Sequence, residues 1–417
     1  MVIKYFQKPF FLAAVICCFI FYCGIVTIPQ RKPLTSLLKT SEITEISGQI
    51  LNSPVKINSG KYYSALFQVS EVSNKQLQKS SATGNIKIYI PTEMTEAFFP
   101  GRLYSGSISK GSYFYESGGF YHFQGKFSQN GFYVLKCTDN YWINSIYGKI
   151  DFFRALCRLQ FKRLMYAWGT AGGLLLALLS GAKEYTDPAV AESFRNSGLS
   201  HILALSGMHL SMFSSIAIFF GNKIGQKRIT FIIRIFALVI FVWFAGLSPS
   251  LLRAFICSCL TLFALSAGAK EPDMILILSF SFLLQSIISP DDIQNPGFML
   301  SYGALAGILL TNKFFYNLYS KTLPAYFSAS LGSSTGAQIF TIPIALKFFK
   351  GFAPIGIVAT SIISPLITIF IYSGLLLIVL CLIFPVLQTP SGIFINLQYT
   401  VIKFCVNIFS KFPKITI

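Results

Sequence analysis

The 417-residue sequence predicts a polytopic α-helical membrane protein with a small β-barrel of OB-like type near its amino terminus. Three observations lead there. Charged residues make up only 12% of the chain and apolar ones 53%, whereas a soluble domain carries about 25% charged residues. Apolar runs near the ~20 residues that a bilayer core demands recur through the second half. Residues 42–140 instead show short alternating runs broken by turn residues, the pattern of half-buried strands.

Taken in order, residues 1–30 form a membrane anchor. The apolar stretch 10–28 lies between Lys4 and Lys8 on one side and Arg31, Lys32 and Lys39 on the other. It is long for a signal peptide and lacks a small-x-small cleavage site, so it is expected to be retained.

Residues 42–140 are expected to form an extracytoplasmic OB-like β domain. The stretch 86–90 (Ile-Lys-Ile-Tyr-Ile) and the stretch 121–127 (Tyr-His-Phe-Gln-Gly-Lys-Phe) read as strands, and 58–61, 116–119 and 128–131 as turns. Five or six strands in about 100 residues suit a small closed barrel. Tyr113, Tyr115, Tyr121 and Phe123 stand in a dense aromatic segment. Such rings either stack nucleic-acid bases beside a basic groove or fill the barrel as good strand formers.

Residues 143–166 place Ile146, Ile150, Phe153, Leu156, Leu159 and Leu164 at helical spacing, with Arg154, Arg158, Lys162 and Arg163 as the basic component. An apolar stripe with a Lys/Arg face predicts an amphipathic helix lying in the membrane interface.

Residues 167–417 form the helical transmembrane region. Its apolar segments fall near 167–181, 203–220, 229–247, 249–267, 274–289, 297–311, 325–346, 353–384 and 391–410, and Pro365 and Gly374 allow the 353–384 run to form two spans. Short and Gly/Pro-interrupted segments suit a transporter or channel, because irregular backbone at membrane depth must be buried or line a wet cavity.

The net charge of +19 fits two readings: positive-inside topology with attraction to anionic lipid, or a surface for a polyanion. No Asp or Glu follows Asp292, while seven lysines do. The nine cysteines show no metal-ligand spacing. Cys137 and Cys157 alone lie outside the apolar runs, and they are a candidate disulfide if that region faces an oxidising compartment.

Polar chemistry concentrates at 194–209, which reads Phe-Arg-Asn-Ser-Gly-Leu-Ser-His-Ile-Leu-Ala-Leu-Ser-Gly-Met-His. It brings Arg195, His201, Ser206 and His209 to the mouth of an apolar run, where polar groups are costly unless partnered or wet. On one helix His201 and His209 would be ~12 Å apart along the axis. One metal ion cannot bridge that gap, so no metal or other cofactor is expected. Ser206 and His209 at i,i+3 suit a hydrolytic pair, but no acidic orienter is assignable, and no catalytic residue is expected. Interhelical glue and a hydrophilic path both fit these residue types. Arg253, in the stretch 247–255 (Leu-Ser-Pro-Ser-Leu-Leu-Arg-Ala-Phe), either snorkels from a helix end or offers its planar fork to passing phosphates.

These segments carry a family resemblance. The 194–209 stretch resembles the signature of the ComEC family of competence membrane proteins. The 248–254 stretch is similar to that family's proline-serine-x-x-arginine-alanine segment, and 289–306, with Pro296, Gly297, Phe298, Leu300 and Ser301, to its proline-glycine-phenylalanine-x-leucine-serine segment. Pro343, Pro354 and Pro365 resemble its proline-rich later spans, and order and spacing agree from about 160 to 385. The resemblance implies a channel conducting single-stranded DNA across the cytoplasmic (inner) membrane during natural transformation. It also implies work beside separate receptor, nuclease and motor proteins, in contact with membrane lipid, as a monomer or a homo-oligomer. Arg195, His201, Ser206, His209 and Arg253 would line the DNA path.

Many members carry a carboxy-terminal metallo-β-lactamase-like domain with a histidine-rich metal cluster. Here the histidines are His122, His201 and His209, so the expectation is a chain without that domain and without nuclease or other enzymatic activity. A transporter of lipid-linked or small anionic molecules, with the β domain as a docking module, is the alternative from a different class.

Overall fold

The computed structural model describes residues 8–22, 34–57, 60–76, 78–97 and 114–416. Helix α1 (Pro9–Tyr22) packs against α9 (Met274–Ile288) of the later bundle. Phe10 meets Phe280 edge-on at 5.5 Å, and the Lys8 ammonium pairs with Asp273, the residue that caps α9.

The amino-terminal sheet contains β1 (Thr35–Ser36), β2 (Ile43–Ile50), β3 (Val55–Lys56), β4 (Tyr62–Asn74) and β5 (Lys79–Pro91), then, beyond the short helix α2 (Thr92–Glu96), β6 (Phe120–Ser128) and β7 (Gly131–Tyr141). Burial alternates along the long strands, so one face supplies a core of Ile46, Ile50, Phe67, Ile88, Phe123 and Phe132. Strand β2 pairs antiparallel with β4, β4 with β5, β7 with β6, and β6 with β2, while β5 and β7 run parallel through Ile88–Phe132 and Tyr89–Tyr133. The pairing therefore returns to the strand where it began. Such closure demands sharp local coiling, which bulges and glycines supply. Register shifts occur at Gly48 and Gly125. A Cβ there would lie 1.9 Å from the Gln68 carbonyl oxygen and 2.0 Å from that of Tyr133 respectively.

Most of the remaining chain is helical. Helix α3 (Ile146–Ala167) leads into α4 (Gly169–Ser180), which is buried from Ala171 to Ser180 and forms the centre of the largest apolar core together with α12 (Gly356–Ile383) and α13 (Gln388–Ser410). A helix apolar all round belongs in such a centre rather than at a surface. Helix α5 (Pro188–Asn196) starts with Pro188 at its first position behind an Asp187 cap. Then come α6 (Gly207–Ile224), α7 (Lys227–Ala245), α8 (Pro249–Ser266), α9 and α10 (Pro296–Tyr319). Helix α11 (Ala325–Phe349) is followed by β8 (Gly351–Phe352), α12 (Gly356–Ile383), α13 (Gln388–Ser410) and β9 (Ile415–Thr416), which pairs with β8. The 353–384 run is thus one helix, continuous through Pro365.

Among the described residues five helical segments are long and apolar enough to cross a membrane: Lys227–Ala245, Pro249–Ser266, Pro296–Tyr319, Gly356–Ile383 and Pro385–Ser410. Ile232, Phe236, Leu376, Leu397 and Phe404 on them are exposed. Such an apolar exterior suits lipid, not water. Helices α1, α4 and α9 are apolar but shorter. Helices α6 and α11 fall outside the set of five; α11 carries Ser328, Ser333, Thr335 and Gln338 through its first half.

Candidate functional site: a polar seam at the start of helix α6

The start of α6 meets α8 through two small residues. Ser248 caps α8 by accepting from the Leu251 N–H at 3.3 Å, and Pro249 occupies the first helical position. Arg253 then lies one turn inside the helix, 9% exposed, and its Nη1 donates to the Ser301 carbonyl of α10 at 2.8 Å. No ion pair of the described residues includes Arg253. A Cβ placed on Gly207 would lie 3.6 Å from Arg253 Nη2 and 3.6 Å from Ala254 Cβ.

His209, the third residue of α6, is fully buried. Its Nδ1 accepts from the Ser206 N–H at 3.2 Å and lies 3.3 Å from Ser206 Oγ. His209 Nε2 and Arg253 Nε are both buried without a hydrogen-bond partner. Orphaned buried polar atoms are uncommon, because each carries a desolvation cost of about 1–3 kcal/mol. Ser206 and His209 thus meet at the start of α6, and Arg253 of α8 reaches Gly207 in the same turn. Arg195 does not join them: it is exposed at the end of α5, 3.6 Å from Glu192. His201 is exposed in the connection between α5 and α6, with Nδ1 3.2 Å from the Gly198 carbonyl.

Sequence reasoning missed a second set of polar side chains beside Arg253. Tyr302 donates to Gln285 Oε1 at 2.9 Å and shares a 3.0 Å hydrogen bond with Ser281. Gln285 Nε2 donates to the Pro249 carbonyl at 3.0 Å and reaches Asp292 at 3.3 Å. This network ties α8, α9 and α10 together behind Arg253. The available signal was Gln285, an amide inside an otherwise strongly apolar helix.

Helix α3 divides along its length rather than into an apolar and a basic face, and its later turns bury Leu159 and Leu164 together with the cations. Arg158, Lys162 and Arg163 are buried, while Ile146, Tyr147, Ile150 and Phe153 are exposed. Glu116 draws the cations inward: Arg158 Nε stands 3.3 Å from Oε2 and Lys162 Nζ 3.1 Å from Oε1. Lys162 also lies 3.1 Å from Glu184 Oε1. Arg158 Nη1 donates to the carbonyls of Phe244 and Ala245 at 2.7 and 3.3 Å, the last turn of α7, where cations are favoured. Arg154 Nη1 reaches Ser117 Oγ at 3.3 Å. Burial alone would raise the Glu116 carboxyl, but Lys162, Arg158 and a hydrogen bond from Ser53 outweigh it and hold the group at about 2. These basic residues therefore do not form a headgroup-facing surface.

The expected base-stacking rings also turn inward. Tyr115, Tyr121 and Phe123 belong to the sheet core. Tyr121 and Phe123 stack at 5.4 Å, and the Tyr121 hydroxyl donates to the Phe114 carbonyl at 2.8 Å. Tyr113 lies outside the described residues. Alternation puts other rings on the outer face: Phe120 stacks on Tyr141 at 5.1 Å, and Tyr141 is 50% exposed. Cys137 and Cys157 are both free rather than bridged. Cys137 sits in the sheet core, where burial pushes its thiol up to about 12, while Cys157 lies midway along α3. Among the described residues no cluster of histidine, cysteine and carboxylate side chains could hold a metal ion.

The fold and this seam define a multi-pass membrane protein with a buried cation at a break between helices. A family model described as Competence protein matches residues 178–417, more than half of the sequence, and the chain belongs to that family. It is 25% identical over 208 residues to "ComE operon protein 3" of Bacillus subtilis (strain 168), a match covering 48% of this chain and 25% of that protein. It is 30% identical over 249 residues to an "Uncharacterized protein" of Aquifex aeolicus (strain VF5), covering 58% of this chain and 55% of the other. The matches therefore span from a quarter to about half of these relatives' lengths. No solved structure matches the chain.

Proposed function

We propose that this protein conducts single-stranded DNA across the cytoplasmic membrane during DNA uptake. Family membership over the helical bundle carries the reading. The uncompensated Arg253 supports it, because a guanidinium at membrane depth needs an anionic or aqueous partner. The sheet is read as an OB-like barrel: its pairing runs β2–β4–β5–β7–β6 and back to β2, with β5 and β7 parallel. Such barrels bind single strands on one face with aromatic platforms, a role that falls here to Phe120 and Tyr141.

Receptor, nuclease and motor functions are assigned to other polypeptides, and the chain itself to transport without catalysis. Deleting the gene and supplying radiolabelled duplex DNA tests this. Loss of cytoplasmic label with retained surface label, restored by complementation, is the expected result. Equal internal label in the deletion and a complemented strain that takes up DNA would remove the channel reading.

A further inference from the structure

We propose that the first turn of α6 and the Arg253 guanidinium together form a binding site for a single phosphate group, with Gly207 as its floor. The inference takes its ligand from the DNA-path reading but rests on separate geometry. The first-turn amides of a helix lack intrahelical acceptors, and the helix dipole makes that end attractive to anions. Gly207 and Met208 supply such amides at the start of an 18-residue helix.

Arg253 is the independent observation. Its side chain comes within 3.6 Å of the place a Cβ would occupy on Gly207, and its Nε is buried with no partner. One carbonyl, that of Ser301, accepts from Nη1, which leaves the rest of a five-donor fork to serve another acceptor. A phosphate monoanion or phosphodiester matches this set: bidentate oxygens for the guanidinium and a further oxygen for the helix amide. A carboxylate ligand would satisfy fewer of these donors.

Glycine at 207 has a specific meaning in this arrangement. Nothing in the fold forbids a methyl there, since both nearest atoms stand at ordinary contact distance, and alanine is the better helix former. The absent side chain leaves room for an oxygen between the helix end and Arg253. Gly207→Ala should therefore fold normally and yet exclude the ligand.

The test uses the purified full chain in detergent. Its thermal midpoint is measured in inorganic phosphate and in chloride of equal ionic strength, for the wild type, Gly207→Ala and Arg253→Gln. An upward shift in phosphate for the wild type alone is expected. Should Arg253→Gln fail to fold, Gly207→Ala decides by itself. An equal phosphate shift in Gly207→Ala and wild type, or no shift in wild type, overturns the site.

Two further arms identify the source of the phosphate. Binding of fluorescent oligothymidylate is followed against salt, and a Gly207→Ala slope shallower by about 0.7 would count one lost strand phosphate. If the slope is unchanged while added phosphatidylglycerol abolishes the phosphate shift, a lipid headgroup occupies the site. The site then stands and the DNA-path reading falls.

Discussion

Glu116 shows how one side chain can decide the orientation of a whole helix. Its carboxylate lies between Arg158 and Lys162 and is 4% exposed. Its folded value, about 2, lies below the usual ~4.3 of an unfolded glutamate. A depressed carboxyl contributes stability that is complete above about pH 5 and is lost as pH falls toward 2. Taken over the whole shift, that is on the order of 3 kcal/mol. Glu116→Gln should therefore cost about 3–5 kcal/mol at neutral pH, since it strands the buried Arg158 and leaves Lys162 with Glu184 alone. It should also flatten the acid limb of a stability–pH profile measured by urea unfolding in detergent. A variant that keeps the wild-type acid limb would show that the carboxylate is not the group being titrated. Tyr141 offers a complementary test. Tyr141→Ala is expected to weaken oligothymidylate binding by roughly 1–3 kcal/mol, the usual value of one stacked base, with the unfolding midpoint unchanged. Tyr121→Ala should instead destabilise the sheet, as truncation of a buried aromatic does, by about 3–5 kcal/mol.

At the scale of elements, helix α3 buries its cations beside Leu159 and Leu164 and exposes the apolar residues of its first turns. Its periodicity correctly announced a helix with two faces. What periodicity does not carry is which face meets protein, because that depends on partners remote in sequence: Glu116 before it, Glu184 after it, and the last carbonyls of α7. The same limit governed the aromatic strands. Alternation showed that half the rings are core, but the assignment to Tyr121 and Phe123 rather than Phe120 and Tyr141 needed the registry of β6 against β2 and β7. Arg253 and His209 were legible as isolated polar residues in apolar runs, whereas the approach of Arg253 to Gly207 was not, since it depends on how α6 packs on α8. The exposed first turns of α3 have a measurable consequence. Tyr147 is 81% exposed, and aromatic residues settle at the membrane–water boundary. The added emission of Tyr147→Trp in liposomes should be quenched by lipids labelled near the headgroup more than by those labelled deep in the chains. Quenching mainly by aqueous iodide would place α3 away from the bilayer.

For the whole molecule, the sheet and the bundle are joined by one buried ionic cluster. Glu116 belongs to the segment leading into β6, Lys162 and Arg158 to α3, and Glu184 to the connection between α4 and α5. Lys162 is the shared member, 3.1 Å from each of two carboxylates that are themselves almost inaccessible. Removing it leaves both acids buried and short of a cation. Desolvation then favours drawing the sheet away from the helix so that water can reach them. Lys162→Met should thus open the 142–145 connection between β7 and α3 to limited proteolysis and release the sheet as a fragment, with the bundle still folded. The double variant Lys162→Met, Glu184→Gln keeps the Glu116–Arg158 pair and carries no stranded charge, and replacing buried ionic groups with neutral ones of similar volume is often tolerated. It should regain wild-type protease resistance if charge balance alone holds the join. Continued cleavage in the double variant would assign the join to the directed hydrogen bonds of the cluster instead. A Lys162→Met protein as resistant as wild type would show that apolar packing of Phe114 against Ala155 and Leu159 suffices to hold sheet and bundle together.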